Sequence, residues 1–283
     1  MSKQQLDRRQ MRKAFDRAAI KYDESAVLQQ EVGRRLLERL DLLTLKPKRI
    51  LDVGTGTGEG LAPLIRKYPA AEVVAVDIAE GMLHEARRKI SWWYRLRHKV
   101  KYVSAAAENL PFRDNCFDMV VSNLTLQWCE DLPRVFSEVQ RILAPGGTLL
   151  FTTFGPDSLK ELRAAWQQVD NDVHIHPFID MHDIGDAMID ASLAEPVMDM
   201  EVITVTYDDA WKIMRDLKNI GAHNVAVDRP RHLTGKHRLQ RVVDSYEVYR
   251  TAGKLPLSYE IVYGHAWAVE SRSRTSVEVQ VIK

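Results

Sequence analysis

Short apolar segments alternate with helical patterns through the middle of the chain. Five of them are predicted as strands, at residues 49–54, 72–77, 100–104, 116–123 and 148–154. Several are apolar along their whole length, which is typical of strands buried on both faces of a sheet. The helical pattern before the last one, 133–143, ends at the turn Pro145-Gly146-Gly147. This alternation predicts an α/β fold with a doubly wound, mostly parallel sheet.

The flanking segments extend this core. Residues 3–43 are predicted as helical, because Leu28, Val32, Leu36, Leu37 and Leu40 recur at helical spacing. We expect a single domain, 1–283, and a lid over the carboxyl edge of the sheet, where open sheets bind ligands. The expected parts of this domain are an N-terminal helical cap (1–44), a core (45–206), a helical lid inserted before the last strand (207–256), that strand (257–269) and a tail (270–283).

Composition narrows the class of protein. The 283 residues carry 40 Lys and Arg against 39 Asp and Glu, which argues against a generally polybasic nucleic-acid binder. The only two cysteines, Cys116 and Cys129, exclude a disulfide framework and a cysteine-based zinc site. The N-terminus is charged rather than apolar, and no apolar run approaches the length of about 18 residues that a membrane span needs. We therefore expect a cytoplasmic protein without membrane contact.

A glycine-rich turn, DVGTGTG (52–58), follows the first predicted strand. Glycines let the backbone turn tightly and approach a ligand closely, although purely structural turns of this composition are common. The spacing differs from the GxGxxG dinucleotide fingerprint, and no GK[ST] follows, which excludes a P-loop.

Asp77 makes the glycine turn more specific. It ends the second predicted strand, 21 residues after Gly56 (77 − 56). A carboxylate there can accept hydrogen bonds from both hydroxyls of a ribose, whereas an isolated Asp would more often be solvated. Glu108 and the backbone around it, in AAAENLPF (105–112), are candidates for contact with an adenine edge. Asn123, at the end of the fourth strand, is expected to face the same crevice.

These motifs resemble those of class I S-adenosylmethionine-dependent methyltransferases over roughly residues 45–155. LDVGTGTG is similar to their motif I, VVAVDIAEGML to their ribose-binding acidic motif, and AENLPF with FDMVVSNLTLQW to their adenine motifs. The resemblance implies S-adenosylmethionine as cosubstrate and makes 45–206 the cofactor-binding core. Ala106 stands where the family often has a carboxylate. The implied cofactor-binding residues are Tyr22, Asp52, Gly54, Thr55, Gly56, Asp77, Ile78, Met82, Ala107, Glu108, Asn123 and Leu124.

A narrower resemblance covers almost the whole chain. Segments such as 14–29, 122–132, 151–166, 176–188 and 256–267 are similar to the malonyl-acyl-carrier-protein O-methyltransferases of biotin synthesis. This implies methyl transfer to the free carboxylate of a malonyl thioester on acyl carrier protein, or on coenzyme A, giving the methyl ester that starts pimeloyl synthesis. That carboxylate is ionised at neutral pH, so no general base is needed, and catalysis would rest on proximity, alignment and exclusion of water.

The resemblance also suggests groups that position the reactants. Tyr22, Gln127 and Trp128 are implied near the transferred methyl group, although Tyr22 and Trp128 fit a packing role as well. A carboxylate substrate needs a cationic partner, and a guanidinium can bind it through two hydrogen bonds. The sequence does not choose among three candidates, Arg163, Arg215 and Lys218.

Two other functions stay open at this point. The segment FGPDSLKELR (154–163) also resembles a mitochondrial complex I assembly factor with a methyltransferase fold that is implicated in arginine hydroxylation. The first alternative is therefore a protein-modifying or hydroxylase-like enzyme, for which no iron triad is evident in the sequence. The second is a non-catalytic scaffold that binds the cofactor and assembles partners, for which Ala106 is the only hint.

Histidines and basic clusters complete the set of candidates. The pair His174 and His176 lacks supporting ligands nearby, so we expect these two and His223 to be ordinary loop histidines, and no metal. Basic surfaces suit an acidic acyl carrier protein, although solvated faces have the same composition. The first cluster surrounds Trp92, Trp93 and Tyr94 and holds Arg87, Arg88, Lys89, Arg95, Arg97, Lys99 and Lys101; the second, in the lid, holds Arg229, Arg231, Lys236, Arg238 and Arg241.

Overall fold

Seven strands form one sheet in the computed structural model, which describes residues 6–98, 100–222 and 235–269. The strands are β1 (Arg49–Val53), β2 (Glu72–Asp77), β3 (Val100–Ser104), β4 (Phe117–Ser122), β5 (Leu143–Phe154), β6 (Leu193–Tyr207) and β7 (Leu255–Ala268). Outside the described residues lie residues 1–5 of the predicted cap, Lys99, residues 223–234 of the predicted lid and the predicted tail.

The strand order is β3-β2-β1-β4-β5-β7-β6. Neighbouring strands from β3 to β5 are parallel, whereas β7 lies antiparallel between β5 and β6. The predicted α/β fold with a mostly parallel sheet is confirmed. Strand order reverses between β1 and β4, and ligands bind outside the carboxyl ends of the strands at such a switch point.

Helices flank the sheet. They are α1 (Arg8–Ala18), α2 (Tyr22–Ser25), α3 (Val27–Arg39), α4 (Leu61–Lys67), α5 (Glu80–Lys89), α6 (Trp92–His98), α7 (Leu132–Ile142), α8 (Lys160–Gln167), α9 (Met181–Asp190), α10 (Ala210–Asn219) and α11 (Lys236–Tyr246). Asp131 begins α7 as an N-cap, because its carboxylate accepts a hydrogen bond from the backbone N–H of Arg134 at 3.1 Å. Among the described helices, none combines the length and apolar character required to cross a bilayer.

Each face of the sheet has its own apolar layer. Ile50 of β1 packs into one layer and Leu51 into the other, because successive side chains of a strand point to opposite faces. The predicted stripe of α3, including Val32 and Leu36, is buried in the first layer. Burial on both faces explains why the central strands are apolar along their whole length.

The N-terminal segment, predicted as helical over 3–43, consists of several helices. α1 ends at Ala18, the chain turns through Lys21, and α2 and α3 follow as separate helices. The turn allows α1 to dock on the start of α5, where the backbone N–H of Gly81 donates to the Asp16 carboxylate at 2.8 Å. A Cβ at Gly81 would lie 3.0 Å from the main-chain oxygen of Asp16, so this close approach favours glycine.

Boundaries of the C-terminal elements also differ. β6 begins at Leu193 rather than at 201, and β7 begins at Leu255 rather than at 257. Because Pro196 and several acidic residues interrupt the usual strand pattern, the sequence does not reveal the start of β6. The structure tolerates a proline there because β6 is an edge strand, and its register with β7 shifts between Ala194 and Val197.

The predicted lid contains α10, α11 and the first two residues of β7. The end of α10 lies against the N-terminal helices, where the Asn219 side chain donates to Ser25 Oγ at 3.2 Å. In contrast, α11 packs beside α8 and buries Val242 and Tyr246 in the core. The division of the chain into cap, core and lid stays a prediction.

Candidate active site

The glycine turn crosses the ends of β1 and β2. Backbone N–H groups of Gly54 and Thr55 donate to the main-chain oxygen of Val76 at 2.7 and 2.9 Å. Gly54 has φ of +72°, and a Cβ there would lie 2.0 Å from Thr125 Oγ1. The left-handed backbone and the close approach of Thr125 both require glycine at this position.

Asp77 lies at the edge of the glycine turn. Its carboxylate accepts hydrogen bonds from the backbone N–H groups of Gly56 at 2.9 Å and Ala79 at 2.8 Å. Burial raises the pKa of Asp77 to about 6, although the two backbone hydrogen bonds act in the opposite direction. The two backbone hydrogen bonds therefore hold the Asp77 carboxylate at the end of β2.

A first cavity opens against the glycine turn, with an empty volume of about 740 Å³, and we call it the glycine-loop cavity. Ten of the twelve predicted cofactor-binding residues line it: Tyr22, Gly54, Gly56, Asp77, Ile78, Met82, Ala107, Glu108, Asn123 and Leu124. The lining residues that sequence reasoning missed are Arg8, Met11, Phe15, Val53, Val76, Ala105, Thr125 and Cys129; Ala106 and Trp128 also line it.

Asp52 and Thr55 are the two predicted cofactor residues that do not line this cavity. The Thr55 hydroxyl donates to Asp52 Oδ2 at 2.6 Å, and both residues border a separate cleft between α3 and α4. Burial raises the pKa of Asp52 to about 6. Asp52 therefore supports the glycine turn through its hydrogen bond with Thr55, on the side of this separate cleft. Its predicted cofactor contact stays a prediction.

Arg8 holds α1 across the glycine-loop cavity. Its guanidinium donates to Glu108 Oε1 at 2.5 Å and to Glu130 Oε2 at 2.9 Å. The backbone N–H of Glu130 also donates to Glu108, at 3.2 Å. Glu108, predicted to contact an adenine edge, is thus fixed by two donors. Sequence carried no signal for Arg8, which is one of many charges in the first helix.

Asn123 and Leu124 lie between the strand ends and the cavity. The Asn123 side chain donates to the main-chain oxygen of Gln29 at 2.9 Å and accepts from the Thr152 hydroxyl at 2.8 Å. Leu124 has φ of +47°, a rare value for a residue with a branched side chain. Its backbone N–H donates to the Thr152 hydroxyl at 2.9 Å, so β5 holds this strained turn in place.

A second cavity, with an empty volume of about 800 Å³, adjoins the first, and we call it the aromatic cavity. Its walls include Phe154, Trp166, Phe178 and Tyr259. The two cavities share four lining residues: Phe15, Tyr22, Leu124 and Trp128. Burial and the nearby Asp77 carboxylate raise the pKa of the Tyr22 phenol, which keeps its hydroxyl protonated at the junction.

Trp128 and Gln127 occupy this region in different ways. The Trp128 ring makes an edge contact with Phe15, with ring centroids 5.3 Å apart, and a tilted contact with His176 at 5.3 Å. The Gln127 amide is occupied at both ends, since it donates to the Leu124 oxygen at 2.6 Å and accepts from the Thr153 hydroxyl at 3.2 Å. Gln127 lines the aromatic cavity, and its part in positioning a reactant stays a prediction.

The three predicted substrate cations do not line the aromatic cavity. Arg163 donates to the main-chain oxygens of Pro156 at 2.9 Å and Ser158 at 3.2 Å, so its guanidinium ties α8 to the loop before it. Arg215 and Lys218 are exposed on α10. Their part in holding a substrate carboxylate stays a prediction.

The predicted loop histidines have contrasting surroundings, and His223 lies outside the described residues. His174 stacks on Trp166 and hydrogen-bonds to Asp170 at 2.8 Å. Asp170, Asp172 and His174 are close enough to share a metal ion, but Arg238 pairs with both carboxylates at 2.6 Å. This cluster is a charged clamp between the loop and α11. His176, in contrast, is buried within the aromatic cavity.

Many charges of the two predicted basic clusters are already paired. In the first, Lys89 contacts Asp23 at 2.6 Å and Lys101 contacts Glu72 at 2.8 Å. The rings of Trp92 and Trp93 in the same cluster are exposed and stack on each other. In the second, Arg238 belongs to the clamp, and Arg229 and Arg231 lie outside the described residues. Carrier-protein docking by either cluster stays a prediction.

Known proteins resemble this chain over most of its length. A profile described as a methyltransferase domain matches residues 51–151. A malonyl-[acyl-carrier protein] O-methyltransferase of Nitrosospira multiformis is 49% identical over 96% of this chain and 92% of the relative. One of Gallionella capsiferriformans is 52% identical over 93% of this chain and 91% of the relative. The solved YcgJ protein of Bacillus subtilis shares the fold, with a TM-score of 0.59 and 18% identity over 84% of this chain and 99% of its own.

The strand order, the glycine turn at the switch point and the matching profile define a class I S-adenosylmethionine-dependent methyltransferase. Sequence identity of about one half over nearly the full length identifies a narrower family than the shared fold does. The chain belongs to the malonyl-[acyl-carrier protein] O-methyltransferase family.

Proposed function

We propose that this protein transfers a methyl group from S-adenosylmethionine to the free carboxylate of a malonyl thioester on acyl carrier protein. The observation that carries the proposal is the wall shared by the two cavities. Phe15, Tyr22, Leu124 and Trp128 border both, so a methyl donor in one and an acceptor in the other would meet there. Family membership supplies the substrate class, and the product would be the malonyl methyl ester that starts pimeloyl synthesis for biotin.

The glycine-loop cavity fits S-adenosylmethionine. At Gly56 no atom lies within 4 Å of the position that a Cβ would take, so the backbone borders open space there. Asp77 would accept hydrogen bonds from the ribose hydroxyls, and the backbone of residues 105–108 would face the adenine. When bound, S-adenosylmethionine supplies an electrophilic methyl group, whose bond to sulfur breaks as a carboxylate oxygen forms the ester bond.

The aromatic cavity would receive the acyl group. A malonyl carboxylate has an ordinary pKa far below neutrality, so the protein needs to orient it and not to deprotonate it. Trp128 and Tyr22 would align the reactants at the junction, since both line the two cavities. Apolar walls such as Phe154 and Phe178 would exclude water, which strengthens the attraction between a carboxylate and a sulfonium.

Mass spectrometry of malonyl-acyl carrier protein, incubated with the protein and S-adenosylmethionine, tests the proposal directly. We expect a gain of one methyl group on the malonyl form. Acetyl-acyl carrier protein, which has no free carboxylate, should remain unchanged, and succinyl-acyl carrier protein measures how strictly the chain length is read. Absence of the methyl ester, with cofactor binding intact by calorimetry, would contradict the substrate assignment and leave the fold class standing.

A pair of matched variants links the product to the glycine-loop cavity. Asp77→Asn removes the carboxylate at the ribose position and should lower the apparent affinity for S-adenosylmethionine at least about tenfold, since hydrogen bonds to charged groups contribute about 1.5–3 kcal/mol. Asp190→Asn makes the same chemical change at an exposed position at the end of α9 and should leave product formation unchanged. Equal behaviour of both variants would argue against a cofactor role for Asp77.

A further inference from the structure

Positive charge is concentrated on the first helix of the chain. Residues 8–21 hold six Lys and Arg and a single acidic residue, Asp16, although the formal net charge of the whole chain is only +1. Three of these cations, Arg9, Lys13 and Arg17, recur every four residues and are exposed on one face of α1. We call these three residues the basic stripe.

The charges of the basic stripe are not used within the described part of the chain, where none of the three forms an ion pair or a side-chain hydrogen bond. The other two arginines of α1 behave differently. Arg8 pairs with Glu108 at 2.5 Å and with Glu130 at 2.9 Å, and Arg12 pairs with Glu80 at 2.8 Å. The acidic groups around α1 are therefore engaged by residues outside the basic stripe.

The stability of α1 does not account for these charges. Like charges four residues apart on a helix repel each other. Arg9 lies in the first turn, which holds no acidic residue, and the positive end of the helix dipole disfavours a cation there. Arg17, in the last turn, is the one member of the basic stripe that the dipole favours. The arrangement therefore fits a surface that receives negative charge from outside the chain.

The basic stripe runs along the outer side of the helix that walls the proposed site. From the inner side of α1, Met11 and Phe15 line the glycine-loop cavity, and Phe15 also lines the aromatic cavity. The chain after α10 meets α1 here, since a Cβ at Gly221 would lie 3.1 Å from the Phe15 ring. The next residue, Ala222, lines the aromatic cavity. A partner on the basic stripe would therefore lie over the helix that covers both cavities.

The chemistry of the basic stripe favours an acidic protein as its partner. A row of cations complements an acidic surface, which speeds encounter and fixes orientation. Ile20, which is 79% exposed, and the exposed Lys21 extend the row beyond the end of α1. An anionic bilayer carries the same charge, but amphipathic helices bind bilayers through their apolar face. In α1 that face, which includes Met11, Ala14 and Ala18, is buried in the protein.

We propose that the basic stripe of α1 binds the acidic surface of acyl carrier protein and so presents the malonyl arm to the aromatic cavity. This inference rests on the proposed function, which makes acyl carrier protein the bearer of the malonyl group. The basic stripe is distinct from the two predicted basic clusters, whose Lys89, Lys101 and Arg238 are already paired within the chain. Its residues bind the carrier and take no part in the methyl-transfer step.

A triple variant that combines Arg9→Gln, Lys13→Gln and Arg17→Gln tests the docking surface. Calorimetry with malonyl-acyl carrier protein, in the presence of S-adenosylhomocysteine, should show an affinity at least about tenfold weaker than that of the wild type at low salt. This difference should narrow as salt is added, because salt screens exposed charges. Turnover of malonyl-N-acetylcysteamine, which lacks the carrier protein, should be unchanged. Coenzyme A esters are unsuitable for this comparison, because their phosphates are also negative.

A second triple variant, which combines Lys46→Gln, Lys48→Gln and Arg113→Gln, is the matched control. It removes the same number of charges from exposed positions before β1 and β4, at the edge of the sheet opposite the glycine turn. This control should bind malonyl-acyl carrier protein as tightly as the wild type. Thermal unfolding checks both proteins, and the stripe variant should be no less stable than the wild type, because repulsion along α1 is relieved.

The outcomes separate the docking surface from the proposed function. Equal carrier affinity of the wild type and the stripe variant would overturn the docking surface, and methyl ester formation would then leave the proposed function standing. Equal losses in both triple variants would also overturn it, since net charge would be the cause. So would binding of phosphatidylglycerol vesicles that only the stripe variant loses, with carrier affinity unchanged. Absence of the methyl ester, with stripe-dependent carrier binding intact, would count against the proposed function alone.

Discussion

Asp77 gives the unliganded protein a pH dependence that can be calculated. Burial raises its pKa from 3.8 to about 6. A carboxyl with a raised pKa binds its proton more tightly in the folded chain than in the unfolded chain. It therefore destabilises the fold at pH values above 6, and this cost disappears as the pH falls toward 4. Asp77→Asn removes the titration and keeps a side chain of nearly the same size.

The magnitude follows from the shift. About two pKa units correspond to about 3 kcal/mol of unfolding free energy well above pH 6, of which about 1 kcal/mol is recovered between pH 7 and pH 5. Asp52 acts in the same direction, because its pKa is also raised to about 6. His176 acts oppositely: its pKa is lowered to about 4, so the fold loses stability as the pH falls below the ordinary value of 6.5. The total slope therefore does not isolate Asp77. The difference between wild type and variant removes the His176 contribution and reports Asp77 together with the part of the Asp52 shift that the Asp77 charge causes, which has the same sign.

Urea unfolding of both proteins at pH 5, 6 and 7 measures that difference. The stability of the wild type relative to Asp77→Asn should rise by about 1 kcal/mol between pH 7 and pH 5. Cofactor binding should change in the opposite sense, because ribose hydroxyls favour the ionised carboxylate. Affinity of the wild type for S-adenosylmethionine should thus fall below pH 6, and that of the variant should not. Parallel stability profiles of the two proteins would refute the buried, raised pKa of Asp77.

Three substitutions test other parts of the site. Gly54→Ala should destabilise the protein by at least about 2 kcal/mol in thermal unfolding, from backbone strain and the clash with Thr125, and Thr125→Ala should relieve part of the loss. Arg8→Ala should cost less than about 1 kcal/mol of stability, because Arg8 is 41% exposed. The same change should weaken S-adenosylmethionine binding about tenfold in calorimetry, because Glu108 loses its Arg8 partner. Trp128→Ala should lower kcat about 100-fold while the cofactor Kd changes less than about fivefold; a loss confined to cofactor binding would contradict its place at the junction.

The parallel part of the fold was predictable because its signal is local. Each central strand, such as β1, buries both faces and so reads as an apolar run ended by a turn. β6 lacks this signal, since it is an edge strand whose first half alternates half-buried and exposed positions around Pro196. Pairing with β7 makes residues 193–200 a strand, and that pairing joins positions 62 (Met200 and Val262) to 75 (Leu193 and Ala268) residues apart in sequence.

The candidate site shows the same difference between residues with a local sequence signal and residues brought in by long-range packing. Residues at the carboxyl ends of parallel strands meet at one edge of the sheet, so the glycine turn and Asp77 could be placed together from sequence. Arg8 and Thr125 could not, because docking of α1 and the turn at Leu124 bring them to the cavity. His176 looked like any loop histidine, since only its burial distinguishes it.

The residues at the junction of the two cavities come partly from strand ends, which the sequence could place, and partly from helices, whose docking it could not. Leu124 and Trp128 follow β4 and are held by hydrogen bonds and packing around β5, whereas Phe15 and Tyr22 arrive on helices that precede the sheet in the chain. Glycine at position 81 permits the close docking of α1 that brings Phe15 against Trp128. A cavity walled in this way closes only when the N-terminal helices are in place. Exclusion of water from the reacting carboxylate therefore depends on the docking of α1 as much as on the residues that would touch the substrate.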